Sequence, residues 1–337
     1  MKKVTIYDIA KEANVSITMV SRVLNKSGPV KKEKEERILE VIKKYNYVPN
    51  ALARGLIKKE TKLIGVIMPD ISNPFFLQIY LEIEKKAHEH GYNVILCNSM
   101  SSFEVESRYL RSLIEKQVDG IVFIGGRITT YNIEKKHIDE LKDINNHIPI
   151  ITINGIYNEV GTVNIQTDEN DGMKQLIRFI CKRGYRKIGL ILGVKNNNAT
   201  ETKLQYFKKY IEEFGLSTKD EWIYYGDFTV KSGMAGAQYF IDLDDRPSVI
   251  MCVNDIVAMG AIRHFSEKGF KIPNDIAITG FDDIGVSELI VPNLTTVNQN
   301  YKKIGKAVVD SIANIDKIVP GTSITINTKL VIRESCR

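Results

Sequence analysis

Apolar residues along this chain recur with two different periods, and the change between them divides it. Up to residue 48 the spacing is helical. Ile6, Ile9, Ala10 and Ala13 fall at i, i+3, i+4 and i+7, one face of a helix. Thr5 followed by Asp8 is a capping-box pattern that starts this helix near Ile6. Asn14 tolerates the left-handed backbone a helix end needs. Ser16 can cap a second helix running to about Leu24. A third helix is predicted from Lys31 to Tyr45, after a loop holding Gly28 and Pro29. Residues 49–60 form a linker with helical leanings. It is too short to be stable alone, since isolated helices are marginal below ~12–15 residues, and Gly55 weakens it by a further ~1 kcal/mol relative to Ala.

From Thr61 onward, short β-branched runs alternate with stretches of helical period. Leu63–Met68, Asn93–Cys97, Gly120–Ile124 and Ile148–Ile153 read as strands, separated by helices at Phe76–His90, Glu104–Lys116 and Asn132–Lys142. The series then repeats. Strands are predicted at Lys187–Leu192, Ile223–Tyr225, Val249–Val253 and Ile276–Thr279, with helices near Glu169–Arg183, Thr202–Phe214, Lys231–Ile241 and Asp255–Lys268. Continuous apolar strands between amphipathic helices predict parallel sheets covered on both faces. Two such series predict two similar doubly wound α/β subdomains behind an all-α N-terminal unit. Leu294–Gln299, a helix at Tyr301–Ala313 and the run Ser323–Ile332 are left to be shared between them.

The second helix sorts its residues by angle. At about 100° per residue, Met19, Val20, Val23 and Leu24 fill one arc and Ile17, Thr18, Ser21 and Arg22 the opposite one. Such a helix suits the major groove, where its N-terminal residues reach base edges. The same spacing also fits a plain helical hairpin with Arg22 solvated. Charge adds to the groove reading. The chain carries a net +6, and residues 1–60 hold 14 Lys+Arg against 7 Asp+Glu, while the remainder holds 33 against 34. A basic small domain on a near-neutral body fits an electrostatic footprint for phosphates.

Thr5-Ile-Tyr-Asp-Ile-Ala-Lys-Glu-Ala-Asn-Val-Ser16, Val20-Ser-Arg-Val-Leu-Asn25 and Tyr47-Val-Pro-Asn-Ala-Leu-Ala-Arg-Gly-Leu56 resemble the DNA-binding headpiece and hinge of the lac repressor family. The resemblance continues through Ile64-Gly-Val-Ile-Met-Pro-Asp-Ile-Ser-Asn-Pro-Phe-Phe76, Val118-Asp-Gly-Ile121 and Thr279-Gly-Phe-Asp-Asp283. It implies a helix-turn-helix headpiece over 1–48, with DNA contacts at Thr5, Tyr7, Ser16, Ile17, Thr18, Ser21, Arg22 and Asn25. It implies a hinge over 49–60 that becomes helical in the minor groove, with Asn50, Ala53 and Leu56 touching DNA and Leu56 wedging between base steps. It implies a periplasmic-binding-protein-like body in which the chain crosses between subdomains near 162, 297 and 321. The two would then be 61–161 plus 298–321 and 162–297 plus 322–337. The family usually has threonine, facing a phosphate, where this chain has Met19, which cannot donate that hydrogen bond. A homodimer is implied, reading a near-palindromic double-stranded DNA operator with half-sites about one turn apart, ~34–36 Å. With no leucine-heptad tail after Ile332, a dimer rather than a tetramer is expected.

Paired α/β subdomains place a ligand at the carboxyl ends of the strands, in the cleft between them. Phe75 and Phe76, Phe228, Asn254, Asp255 and Asp282 follow predicted strands. Aromatics there could wall a sugar ring, although Phe75 equally fits a core position. Asp255 fits a helix N-cap. Asp282 has no obvious core role in a loop after a buried strand. The family resemblance puts effector contacts at Phe75, Phe76, Lys203, Phe228, Asn254 and Asp282. Where the family usually has Arg-x-x-Gly-Phe or -Tyr, this chain has Lys203-Leu-Gln-Tyr206-Phe207. Lysine is a point charge rather than a planar fork, which leaves room for a phosphorylated effector. A sugar or sugar phosphate is the expected ligand. The runner-up is a catabolite-control-type global regulator with a phosphorylated carrier protein as partner. That branch usually carries Tyr-Asp-Ile-Gly where this chain has Lys302-Lys303-Ile304-Gly305.

Other classes fit less well. No Gly-x-Gly-x-x-Gly follows a strand, and Gly184-Tyr-Arg-Lys-Ile-Gly189 lacks the lysine of a phosphate loop. His88, His90, His137, His147 and His264 show no metal spacing, so neither an enzyme nor a cofactor or metal is expected. Cys97, Cys181, Cys252 and Cys336 read as free thiols in a reducing compartment. No apolar run approaches the ~20 residues of a membrane span, and no secretory signal is visible. A cytoplasmic location is expected. A solute-binding protein would carry such a signal and no basic headpiece.

Overall fold

The computed structural model describes residues 4–25, 27–47 and 60–337. The chain forms two compact units, divided after Thr61.

The first unit is helical: α1 (Ile6–Glu12), α2 (Ile17–Asn25) and α3 (Lys32–Lys44). Its starts are set by local chemistry. The Thr5 amide and hydroxyl both donate to Asp8 Oδ2, at 2.8 and 2.7 Å, and the Asp8 amide returns to Thr5 Oγ1. Asn14 takes φ 52° at the turn. Ser16 Oγ accepts from the Met19 amide at 3.3 Å and opens α2. The core is Ile9, Ala10, Ala13, Val20, Val23, Ile38 and Val41.

The second unit has two lobes. Lobe 1 is a six-stranded sheet in the order β11-β5-β4-β3-β1-β2. These strands are β1 (Leu63–Met68), β2 (Asn93–Asn98), β3 (Gly120–Ile124), β4 (Ile150–Ile153), β5 (Val163–Thr167) and β11 (Ser323–Ile326). Every pairing in it is parallel. Its helices are α4 (Pro74–Glu89), α5 (Phe103–Glu115), α6 (Lys135–Asn145) and, returning from later in the chain, α11 (Tyr301–Ala313). Lobe 2 is a parallel four-stranded sheet, β7 (Ile223–Tyr225), β6 (Ile188–Leu192), β8 (Val249–Cys252) and β9 (Ala277–Thr279) in that order. It carries α7 (Glu169–Lys182), α8 (Asn198–Glu213), α9 (Val230–Ile241) and α10 (Asp255–Glu267). Helices α9 and α10 touch backbone to backbone. A Cβ on Gly233 would meet the Val257 carbonyl oxygen at 2.0 Å, and one on Gly260 the Val230 oxygen at 2.1 Å, so only glycine permits the crossing.

Two expectations need correction. The boundaries near 162 and 321 fall too early. Val163–Thr167 and Ser323–Ile326 pair with each other in the lobe 1 sheet, Ser323 opposite Asn164, so the crossings lie after Thr167 and after Ile326. The run Ser323–Ile332 is therefore two strands. β12 (Lys329–Val331) pairs antiparallel with β10 (Thr296–Asn298) as a small separate ribbon. The third crossing follows β10, at 298–301. Asp255, expected as a possible N-cap, is the first residue of α10 instead; the cap is Asn254, whose Oδ1 accepts from the Val257 amide at 2.8 Å.

Candidate DNA-reading face and ligand cleft

In the headpiece, α2 shows solvent the arc its angles predict. Ile17 is 40% exposed; Ser16, Thr18 and Arg22 are also exposed, and Ser21 is half-buried. Met19, half-buried, packs on the helical core. Tyr7 on α1 is 68% exposed. Thr5 is exposed, with its hydroxyl committed to Asp8. Asn25 closes α2; its side chain, with Asn50, Ala53 and Leu56, lies outside the described residues.

Between the lobes lies a cleft of about 480 Å³, and Phe75, Phe76, Lys203, Phe228, Asn254 and Asp282 all line it. Its position follows from strand direction: the loops after β1, β3, β4, β6, β8 and β9 open into one space. Phe75 and Phe76 stand edge to face, centroids 5.2 Å apart, half-buried on the lobe 1 core while lining the cleft. Phe75 is thus both core and wall.

The floor is polar and built on the crossing strands. Asp282, 7% exposed, sits at φ 122°, a backbone region L-residues rarely adopt. Three bonds hold it there. Its amide donates to the Val297 carbonyl at 2.9 Å, its carbonyl accepts from the Tyr301 hydroxyl at 2.7 Å, and its Oδ1 accepts from Gln299 Nε2 at 3.0 Å. Burial pushes its carboxyl well above the ordinary range, against the opposing pull of Lys203. Lys203, 3% exposed, pairs with Glu169 at 2.9 Å and lies 4.4 Å from the Phe281 ring centroid. Behind them, fully buried Asp255 accepts from the Ile284 amide and from the hydroxyls of Ser287 and Thr296, at 2.9, 2.6 and 2.5 Å. Burial raises its carboxyl to about 6 despite those donors.

Glu169 and Gln299 also line the cleft and were not singled out from sequence. Glu169 follows β5, whose alternating Val163-Asn-Ile-Gln-Thr167 lacks the continuous apolar run of the other strands, so sequence gives no sign of a ligand-facing position after it. Gln299 follows β10, and adjacency to Asp282 across a crossing leaves no trace in sequence. Among the described residues lining the cleft, the charged ones are Asp70, Glu169, Asp227, Asp282 and Lys203. Among the described residues, no cluster of His, Cys, Asp or Glu could hold a metal, and no helix is long and apolar enough to cross a membrane.

A helix-turn-helix unit on a two-lobed body with a ligand cleft defines a class: the ligand-responsive DNA-binding regulators built on a periplasmic-binding-protein scaffold. The chain belongs to the lac repressor family. Residues 61–334 match the family described as periplasmic binding proteins and sugar binding domain of LacI family, and residues 5–50 match bacterial regulatory proteins, lacI family. It is similar to catabolite control protein A of Priestia megaterium, 34% identical over 90% of this chain and 89% of the relative. It is also similar to the HTH-type transcriptional repressor PurR of Photobacterium profundum, 32% identical over 99% of this chain and 98% of the relative. The fold matches a crystal structure of the lac repressor dimer bound to operator and the anti-inducer ONPF, with TM-score 0.87, 23% identity and 99% of each chain covered. The protein is a transcriptional regulator and not an enzyme.

Proposed function

We propose that this repressor reads its operator through Ile17, Thr18, Ser21 and Arg22, with support from Thr5, Tyr7, Ser16, Asn25 and the hinge residues Asn50, Ala53 and Leu56. A small molecule in the cleft sets its occupancy of DNA. The observation that carries the ligand class is the Lys203–Glu169 pair. The one cation lining the cleft among the described residues is already matched by a carboxylate at 2.9 Å. Two further carboxylates, Asp70 and Asp227, remain beside Asp282, whose carboxyl burial pushes toward the neutral acid; each of the two spends one oxygen on its own turn, with Ser72 and with Thr229. Carboxylates accept hydrogen bonds and repel anions. Aromatic walls with an acceptor-rich floor suit an uncharged, hydroxyl-rich ring, a sugar rather than a sugar phosphate. Thermal-shift titration with matched pairs of sugars and their phosphates tests this. Stabilisation by a phosphate whose parent sugar does nothing would overturn it.

The active form is a homodimer acting in the cytoplasm, where its operator lies. Leu289 and Val291, 75% and 87% exposed, with Val286 close in sequence, are exposed apolar side chains of lobe 2 that a second copy could cover. Sedimentation of Leu289→Asp against the parent chain decides it. A second reading keeps a phosphorylated carrier protein as co-effector on the resemblance to the catabolite-control branch alone; Lys302 and Lys303, exposed at the start of α11, replace the Tyr-Asp usual there and weigh against it. Pull-down with a serine-phosphorylated carrier protein, compared with its unphosphorylated form, separates the two.

A further inference from the structure

The two lobes touch at one side of the cleft, where Thr130, Asn154, Asn197 and Asn198 line it, through residues not named in the DNA and ligand readings. From lobe 1 come Thr130 and Tyr131, just past a 3-10 turn at Gly126–Thr129; from lobe 2 comes the 196–198 segment that starts α8. Thr130 and Asn197 form an isolated antiparallel bridge. The Tyr131 amide donates to the Asn196 carbonyl at 2.8 Å, and the Tyr131 hydroxyl to Asn198 Oδ1 at 2.9 Å. Asn198 Nδ2 donates to the Asn154 carbonyl in lobe 1 at 3.3 Å.

Both ends of this contact are anchored. On the lobe 1 side, fully buried Arg127 donates to Glu106 Oε2 at 2.7 Å, Glu140 Oε2 at 2.6 Å and Ser107 Oγ at 2.8 Å. Gly126 (φ 66°) lies so close that a Cβ would sit 2.1 Å from Glu106 Oε1. The Tyr157 hydroxyl donates to the Thr130 carbonyl. On the lobe 2 side, Asn197 caps α8, accepting from the Ala199 amide at 3.0 Å. Anchored ends joined by water-replaceable hydrogen bonds make a contact that closes in one geometry and opens at low cost.

We propose that Tyr131 and Asn198 latch the cleft shut, and that the bonds between residues 130–131 and 196–198 break each time a ligand enters or leaves. The latch gains its purpose from the reading of the cleft as an effector site, yet closure itself is measured without any effector.

The test is Thr130→Cys with Asn197→Cys in the full chain. Facing residues of an antiparallel bridge have Cα atoms about 4.5–5.5 Å apart, inside the roughly 4.4–6.8 Å span of a disulfide. Ligand-free protein is treated with oxidised glutathione and the crosslink located by mass spectrometry, with the parent chain as control for its own four cysteines. The crosslink is expected to form, and to form several-fold more slowly when Tyr131→Phe and Asn198→Ala are added. Two thiols that label with maleimide yet do not join, or an unchanged rate in the latch-free background, would overturn the proposal. If the cysteine pair does not fold, Tyr131→Phe alone decides: hydrogen exchange at the Tyr131 amide should accelerate, and unchanged protection defeats the latch. A cleft that latches but takes no sugar sinks the effector reading and leaves the latch standing.

Discussion

Buried Lys203 and half-buried Glu169 form an ion pair, 2.9 Å apart, on the floor of the cleft. Glu169 opens α7 just past the β5 crossing, so the pair ties a ligand-facing side chain to the strand that joins the lobes. Removing one partner of a buried pair strands the other charge, at about 3–5 kcal/mol. Lys203→Met is therefore expected to cost a few kcal/mol in urea unfolding. Lys203→Met with Glu169→Gln should recover most of it, and additive losses would show that the two side chains act separately.

Arg22 is the one charged residue on the exposed arc of α2, and arginine to guanine is the commonest specific contact in the major groove. Arg22→Ala should cost ~1–3 kcal/mol on a selected operator and relax preference at one base pair. An equal loss on every sequence would make Arg22 a phosphate contact.

Asp282 faces the cleft on a strained turn held by Gln299 and Tyr301. Asp282→Ala should leave operator affinity unchanged and abolish the response to any ligand that releases DNA from the parent chain. An unchanged ligand titration would remove Asp282 from the site.

Asp255 carries the pH dependence with the clearest sign. Its folded value near 6 lies above the ordinary carboxylate value of 3.8, so the native state holds this proton more tightly than the unfolded chain. Its contribution to stability is complete below about pH 4 and is lost as pH rises through 6. Asp255→Asn keeps an acceptor for the Ile284 amide and should flatten the fall between those limits. The difference in Tm between parent and variant across pH ~4–7 measures it, and parallel curves would contradict it.

Arg127 is fully buried among Glu106, Glu140 and Ser107. Arg127→Ala removes the cation that Glu106 and Glu140 share and should cost about 3–5 kcal/mol in a denaturant melt. A loss below about 1 kcal/mol would mean that water replaces the guanidinium there.

The headpiece was legible because its signals are local. The Thr5–Asp8 box, Asn14 and Ser16 act within one turn of chain, and α2 shows the arc its 3.6-residue period predicts. The cleft was legible in outline for a similar reason. Phe75, Phe228, Asn254 and Asp282 each follow an apolar run, and parallel topology carries strand ends to one place. The strand β5 was not. Val163-Asn-Ile-Gln-Thr167 alternates like a half-exposed strand, yet Asn164 is buried. Its side-chain amide donates to the Gly155 carbonyl at 2.9 Å and its side-chain oxygen accepts from the Gly155 amide at 3.0 Å, bonds between segments that sequence does not bring together.

By itself the sequence determined the elements, the two α/β series and the segregation of positive charge, because these follow from periodicity and composition. Only the tertiary structure decided where the lobes divide, that Lys203 is already paired and that Tyr131 bridges the lobes. Those depend on contacts between distant residues, Ser323 with Asn164, Lys203 with Glu169, Tyr131 with Asn198. A hydrogen bond or ion pair forms only where the fold has brought both partners to within about 3 Å, and no local pattern encodes that meeting.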